Sequence, residues 1–220
     1  MKRRDFSALL ATAPALGAAT SAHAQGGPVE GRHYQVITPP LPTAPGKIEV
    51  VEFFWYGCPH CYAFEPAIEE WSKRLPNDVS FRKVHVAFRA NVKIHQRMFY
   101  ALEALGKEAA ARPAIFNAMH QQGQTLDDAK SQAKFLSPLG IDPVKYQEAY
   151  NSFGVVTKCQ QAEKLSEAYR IDGVPSIGIG GRFLTSPSQA GLGQRLSELE
   201  LGQRALQITE FLIQRVRNKA

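Results

Sequence analysis

The hydrophobic and polar positions predict a strand, a helix and a second strand early in the chain. A β-branched and aromatic run at Lys47–Tyr56, bounded by glycines, is typical of a buried central strand. From Pro59 onward apolar residues recur close to helical spacing, and Pro66 is expected to kink this helix. Val79–Phe88 alternates apolar and polar residues and predicts a second strand. Together these elements form a βαβ unit.

Residues 90–155 carry helical signals and no strand signal. Pro113 is interpreted as a first-turn proline that opens one helix. Thr125–Asp128 resembles a capping box before another helix, and Asp142–Pro143 is a cap and first-turn pair for a third. A longer helix then presents one apolar face, formed by Val155, Cys159, Ala162, Ser166 and Tyr169.

The pattern returns to β-structure at Gly173–Ser186, where Gly180–Gly181 predicts a tight hairpin turn. The chain closes with a helix whose apolar positions are Leu201, Ala205, Ile208, Leu212 and Val216. The Gly- and Pro-rich segment 25–46 is expected to be an extended arm with a short strand at Tyr34–Ile37.

The predicted order is β-β-α-β, a run of helices, and then α-β-β-α. This order matches an α/β thioredoxin fold with an inserted helical subdomain. We expect the first part of the fold at residues 47–89, the helical insertion at 90–155 and the second part at 156–220.

Residues 1–24 resemble an export signal peptide. A cationic start at Lys2, Arg3 and Arg4 precedes a short apolar stretch and the small-residue triplet Ala22-His23-Ala24. The arginine pair is compatible with the twin-arginine route, and a general secretion signal is the alternative. The apolar stretch is too short to span a membrane. A soluble protein in an oxidising periplasm is therefore expected.

The composition adds little to this picture. Hydrophobic residues make up 44% of the 220-residue chain, which is enough for one sizeable core. The formal net charge is +6, but the basic residues after the N-terminus are scattered and form no continuous run, so nucleic-acid binding is not expected.

Two of the three cysteines, Cys58 and Cys61, enclose Pro59 and His60 directly after the first predicted strand. Such a pair of thiols can bind a metal, form a structural disulfide or exchange electrons. Zinc requires about four ligands, and no second Cys-X-X-Cys accompanies this one. A structural disulfide gains little from closing so small a loop. Redox exchange is the favoured reading, with no metal and no organic cofactor.

A thiol at the start of a helix has a physical reason to ionise. Unpaired N–H groups and the helix dipole favour negative charge there, so the pKa of Cys58 should be lowered. His60 adds a dipole or a positive charge beside the sulfur. Stabilising the thiolate stabilises the reduced protein, which makes the disulfide a stronger oxidant.

Three segments now carry a resemblance to a known family. Glu52-Phe53-Phe54, Cys58-Pro59-His60-Cys61 and Gly173-Val174-Pro175 resemble the DsbA family of periplasmic thiol oxidases, and the likeness extends over the mature chain. The resemblance implies that Cys58 is the exposed nucleophile and Cys61 the resolving thiol. It also implies that Pro175 is a cis-proline facing the pair, with Val174 free to pair with an extended substrate. Without the cysteines, Val174–Pro175 would read equally well as a plain turn.

Glu52 is a carboxylate inside an apolar strand, so it needs a partner or a raised pKa. Lys83 on the next predicted strand is the candidate partner, and the resemblance implies that Glu52 aids proton movement at the buried thiol. The alternative is a glutamate facing solvent on an edge strand. His85 is expected to be a satisfied structural histidine, and Cys159 a small buried hydrophobe. Trp55, Tyr56, Phe64 and Trp71 are expected in the core or the groove wall, and Tyr56 and Tyr62 are predicted near the active-site rim.

The expected function is disulfide donation to newly exported proteins that contain cysteines. The resemblance implies a DsbB-like membrane partner that reoxidises the pair, and a monomer is expected. A reductase or isomerase on the same fold and a non-catalytic peptide- or metal-binding module are the alternatives. The short segment before the first core strand leaves no room for an isomerase dimerisation domain, which favours the oxidase.

Overall fold

The computed structural model describes residues 27–218. The predicted export signal therefore lies outside the described residues. Five strands and eight α-helices are formed within them, with an additional turn of 3₁₀-helix at Ser137–Leu139. No helix among residues 27–218 is long and apolar enough to cross a membrane.

The element order follows the predicted order, except for one short helix at Pro187–Ala190 that was not predicted. The strands are β1 (Gln35–Val36), β2 (Ile48–Phe54), β3 (Val79–His85), β4 (Ser176–Ile179) and β5 (Phe183–Thr185). The helices are α1 (Pro59–Ser72), α2 (Ala90–Ala104), α3 (Glu108–His120), α4 (Ala129–Leu136), α5 (Pro143–Asn151), α6 (Phe153–Ala168), α7 (Pro187–Ala190) and α8 (Glu198–Arg217).

The strands form one sheet in the order β1-β5-β4-β2-β3, so β2 lies inside the sheet. Only β2 and β3 run parallel, with Glu52 opposite Lys83, and the other pairs are antiparallel. The hairpin between β4 and β5 turns at Gly180–Gly181, as predicted. Both glycines have positive φ, 58° and 64°, which the two central positions of this turn type require.

Side chains of β2 pack into two apolar clusters, one on each face of the sheet. Val50 belongs to a cluster with Ile68 of α1 and Leu212 of α8 on one face. Val51 and Phe53 belong to the larger cluster on the other face, which contains side chains from α2–α6. Glu52 shares the side of Val50 because side chains of a strand alternate. The carboxylate is thus placed on the face that carries α1.

Several predicted boundaries were wrong. Pro113 lies inside α3, because the good helix formers at residues 108–112 start that helix a turn earlier. The cap of α4 is Asp128, whose side chain accepts from the N–H groups of Lys130 and Ser131. Leu126 has a left-handed backbone, with φ 52°, so a helix cannot start at Thr125.

Other local predictions are confirmed or need small changes. Asp142 caps α5 and accepts from the next helical N–H groups. The strands β2 and β3 each end a few residues earlier than predicted, and β1 is confined to two residues. Cys159 is half-buried against the core, so it is less enclosed than expected. Helix α1 continues through Pro66 to Ser72.

Candidate active site

The two cysteines lie where β2 gives way to α1. Cys58 is the N-cap of the helix, with an extended backbone (φ −86°, ψ 118°), and Pro59 takes the first helical position. The N–H of Cys58 donates to the carbonyl of Trp55 at 3.0 Å, which closes the turn. Pro59 fits because the first helical residue needs no N–H partner. The turn thereby holds the sulfur at the positive end of the helix dipole.

The surroundings of Cys58 favour its thiolate. A hydrogen bond from the Cys61 thiol lowers the pKa of Cys58 to about 6, although burial acts in the opposite direction. The backbone N–H groups of Cys61 and His60 and the imidazole of His60 add to this effect. At neutral pH the Cys58 sulfur is therefore mostly ionised.

The second sulfur has the opposite character. Cys61 is fully buried on the inner side of the first turn of α1. Burial raises the pKa of Cys61 well above its ordinary value, and the nearby charges of Cys58 and Glu52 raise it further. Cys61 therefore holds its proton under conditions where Cys58 has lost its own.

His60 is exposed and points toward the last helix. Its Nδ1 lies 3.0 Å from Oε1 of Glu198, in the first turn of α8. The sequence offered only a weak signal for this contact, namely the acidic first turn that helices favour. Because both side chains are largely exposed, the pair contributes little to stability.

The loop before β4 faces the cysteines. The Val174–Pro175 peptide bond is cis, as the resemblance implied. The Cys58 sulfur lies 3.3 Å from the carbonyl oxygen of Val174 and can donate to it as a thiol. The Cys58 turn and the Val174–Pro175 loop, which are far apart in sequence, are therefore in direct contact.

Glu52 is fully buried, so the solvent-facing alternative is wrong. Its Oε2 lies 2.5 Å from Nζ of Lys83, across the parallel β2–β3 pair. Its Oε1 is buried without a hydrogen-bond partner among the described residues. Burial raises the pKa of Glu52 to about 7, against the opposing charge of Lys83. The carboxylates around Lys83 keep its own pKa raised despite burial, so the lysine stays cationic while Glu52 changes its charge near neutral pH.

Lys83 and Glu52 belong to a larger charged cluster that the sequence did not reveal. Lys83 also contacts Glu65 at 2.9 Å and Glu69 at 3.3 Å, both on α1. Arg112 of α3 contacts the same two carboxylates at 3.0 and 2.5 Å. The i, i+4 spacing of the two glutamates on α1 was a usable signal for a shared face.

Arg112 makes one further connection. Its Nε and Nη2 atoms bind both oxygens of Glu108, one turn earlier on α3. Oε1 of Glu108 also accepts a hydrogen bond from the hydroxyl of Tyr56, at 2.8 Å. Tyr56 is fully buried, so its expected place at the rim was wrong.

The remaining aromatic residues divide as follows. Phe64 and Trp71 are core residues. Tyr62 is half-buried and stacks on His120, whose Nε2 donates to the carbonyl of Tyr56 at 2.7 Å. His85 is a satisfied core histidine: Nε2 accepts from the N–H of Tyr56, and Nδ1 donates to the carbonyl of Val86.

Comparison with known proteins decides the family. The chain is 41% identical over 221 residues to the thiol:disulfide interchange protein DsbA of Burkholderia cepacia, and the match covers 100% of this chain and 99% of that protein. This chain belongs to the DsbA family. A family model for the DSBA-like thioredoxin domain matches residues 89–197.

Solved DsbA structures agree with this assignment. The crystal structure of Pseudomonas aeruginosa DsbA superimposes with a TM-score of 0.80 at 37% identity, covering 87% of this chain and 95% of that one. The oxidoreductase NmDsbA1 of N. meningitidis gives a TM-score of 0.71 at 29% identity. The predicted thioredoxin fold with its helical insertion is therefore confirmed as a DsbA fold. The predicted reaction class, protein thiol:disulfide interchange, is that of the DsbA family.

Proposed function

We propose that this chain is a periplasmic oxidase that donates a Cys58–Cys61 disulfide to exported proteins. A substrate thiolate attacks Sγ of Cys58, the bond between the two cysteines breaks, and a mixed disulfide forms. A second substrate thiolate then attacks the substrate sulfur, so that the substrate gains the disulfide and Cys58 leaves as a thiolate. Cys61 takes up one proton, and the enzyme is left as a dithiol.

The contrast between the two sulfurs carries this proposal. Cys58 is stabilised as a thiolate at the helix N-terminus, whereas Cys61 is sealed and keeps its proton. A stable thiolate is a good leaving group, so the mixed disulfide is resolved toward the substrate. The same stability favours the reduced enzyme over the oxidised one, which is the property of a disulfide donor.

The other assigned residues support positioning. His60 stabilises the thiolate through its imidazole and its backbone N–H. The Val174–Pro175 loop contacts the Cys58 sulfur and is proposed to pair with the extended backbone of a substrate. Backbone hydrogen bonds depend little on which side chains the substrate carries. Many exported proteins with cysteines are therefore expected as substrates.

The electrons are carried by the two sulfurs, so the proposed reaction uses no organic cofactor or metal. Among residues 27–218, no three His, Cys, Asp or Glu side chains are grouped to hold a metal ion. A DsbB-like membrane protein is proposed as the reoxidant, and export through the N-terminal signal as the route to the periplasm. The enzyme is proposed to act as a monomer.

The test is the direction of exchange. Purified oxidised protein is mixed with a reduced, unfolded protein that contains cysteines, and disulfide formation in that protein is followed by mass spectrometry. We expect rapid stoichiometric transfer, abolished by Cys58→Ser. Efficient insulin reduction without oxidation of the unfolded protein would instead identify a reductase.

A further inference from the structure

The indole of Trp55 folds back over the turn that leads into Cys58. The carbonyl of Trp55 accepts the N–H of Cys58 at 3.0 Å, so the path of residues 55–58 sets where the sulfur lies at the start of α1. A Cβ on Gly57 would lie 2.4 Å from Cζ2 of the indole, so the ring rests directly against the backbone of Gly57. The position of this ring is therefore tied to the conformation of the turn.

His95 of α2 holds the indole in this place. Nε1 of Trp55 donates to Nδ1 of His95 at 3.0 Å, and the planes of the two rings are only 19° apart. On its other side, Nε2 of His95 lies 2.8 Å from the carbonyl oxygen of Thr125, in the segment between α3 and α4. Because His95 is buried, losing either contact would leave a polar group without its partner. Through His95, the helical insertion contacts the active-site turn.

Both contacts require the same protonation state of the imidazole. An indole N–H only donates, so Nδ1 of His95 has to be unprotonated and Nε2 has to carry the hydrogen. The carbonyl of Thr125 only accepts, which requires the same tautomer. Burial lowers the pKa of His95, although the Thr125 carbonyl and the nearby Asp127 act in the opposite direction. The imidazole is therefore neutral near neutral pH and can accept from Trp55.

We infer that His95 is a positioning residue for Cys58, because it holds the Trp55 indole against Gly57 and thereby fixes the turn that places the Cys58 sulfur at the N-terminus of α1. Without this hydrogen bond the indole is free to leave Gly57 and the turn loosens. The N–H groups of the first helical turn are then less well aimed at the sulfur, and the thiolate loses part of its stabilisation. The inference depends on the exchange reaction proposed above for Cys58.

Two substitutions at position 95 separate the two contacts. Glutamine places its amide near the Nε2 position of histidine, so His95→Gln keeps a donor for Thr125 and loses the acceptor for Trp55. Asparagine places its amide near the Nδ1 position, so His95→Asn keeps an acceptor for Trp55 and loses the donor for Thr125. The matched control is His33→Gln, since His33 is also buried and its Nδ1 accepts the N–H of Val29 at 3.0 Å.

The first measurement is the pKa of Cys58, taken from thiolate absorbance against pH in the reduced proteins. We expect H95Q to raise this pKa by about half a unit, which is the size of the effect that a helix N-terminus has on an anion. The equilibrium of exchange with glutathione should shift about threefold toward the protein disulfide, because the reduced protein loses stabilisation. H95N should recover most of the lowered pKa, and H33Q should leave the pKa of Cys58 unchanged.

The indole N–H gives a second measurement, which a general loss of stability would not reproduce. The chain has two tryptophans, and the indole of Trp71 donates to Glu210 at 3.1 Å, so Trp71 serves as the internal reference. In nuclear magnetic resonance spectra, hydrogen exchange of the Trp55 indole should be about fivefold faster in H95Q, in line with the loss of one hydrogen bond. Exchange of the Trp71 indole should be unchanged.

Trp55→Phe tests the same contact from the other side, and it carries the test if H95Q does not fold. It removes the indole N–H and keeps an aromatic ring, so it should raise the pKa of Cys58 by a similar amount. Adding H95Q to W55F should raise the pKa no further, because both changes remove one interaction.

Two results would overturn the inference. One is an unchanged pKa of Cys58 in H95Q or in W55F. The other is an equal rise in H95Q and H95N, because the contact with Trp55 would then not be the one that matters. Failure of the proposed function is a separate result: the wild-type protein would then transfer no disulfide, whatever residue stands at position 95.

Discussion

Ionisation of Cys58 should be visible in the pH dependence of the reduction potential. A pKa of about 6 means about ten thiolates for each thiol at pH 7, whereas a cysteine with an ordinary pKa of about 8.5 is almost wholly protonated. The resulting stabilisation of the reduced protein is about 1.4 kcal/mol at pH 7. For a two-electron couple this makes the disulfide about 30 mV more oxidising.

The change of the reduction potential with pH tests the ionisation of Cys58 more sharply than its value at pH 7. Below the pKa of Cys58, reduction takes up two protons and the potential falls by about 59 mV per pH unit. Above it, reduction takes up one proton, since Cys61 remains protonated, and the slope halves to about 30 mV. The break should lie near pH 6. The same lowered pKa stabilises the folded, reduced protein above the unfolded-state value, and this stabilisation is lost as pH falls through about 6.

Equilibration with glutathione buffers from about pH 4 to about pH 9 spans both slopes, and thiolate absorbance gives the pKa independently. The measurements use a Cys159→Ser background, so that Cys58 and Cys61 are the only thiols. Burial raises the pKa of Cys159 to about 11, so this thiol would in any case stay protonated across the pH range used. A constant slope of about 59 mV up to pH 8 would refute the reasoning, because Cys58 would then ionise like free cysteine.

Three further predictions concern single residues. Glu52→Gln removes a negative charge beside Cys61 and should lower the pKa of that thiol, measured by alkylation rate against pH in a Cys58→Ser background. Arg112→Met leaves buried carboxylates without their cation and should destabilise the fold by about 3 kcal/mol in urea unfolding, with Arg112→Lys losing less. Gly178→Ala would place a methyl group 2.5 Å from the ring of Tyr169 and should cost about 1–3 kcal/mol in the same assay, whereas an unchanged midpoint would show that the ring moves freely.

The parts of the fold that sequence predicted well are those set by local chemistry. The β-branched run of β2, the glycine pair of the β4–β5 turn and the Asp142 cap each require particular residue types at particular positions. The errors arose where two local signals competed. Pro113 suggested a helix start, but five good helix formers precede it and the helix tolerates the proline.

The active-site residues show the same contrast between what local sequence predicts and what only packing reveals. Cys58, His60 and Cys61 are neighbours in sequence, so their spacing alone places them on the first turn of one helix, and Glu52 stands out because it interrupts an apolar strand. Arg112 gives no such sign: it follows an alanine-rich stretch some fifty residues after the cysteines and looks like a solvated helical arginine. Only packing of the helical segment against α1 turns it into a buried cation shared by three glutamates. The need for such a cation can still be inferred from its acidic partners, because two of the three glutamates that contact Arg112, Glu65 and Glu69, lie one turn apart on α1. Two glutamates one turn apart on α1, facing a buried strand that already carries a carboxylate, require more positive charge than Lys83 can provide.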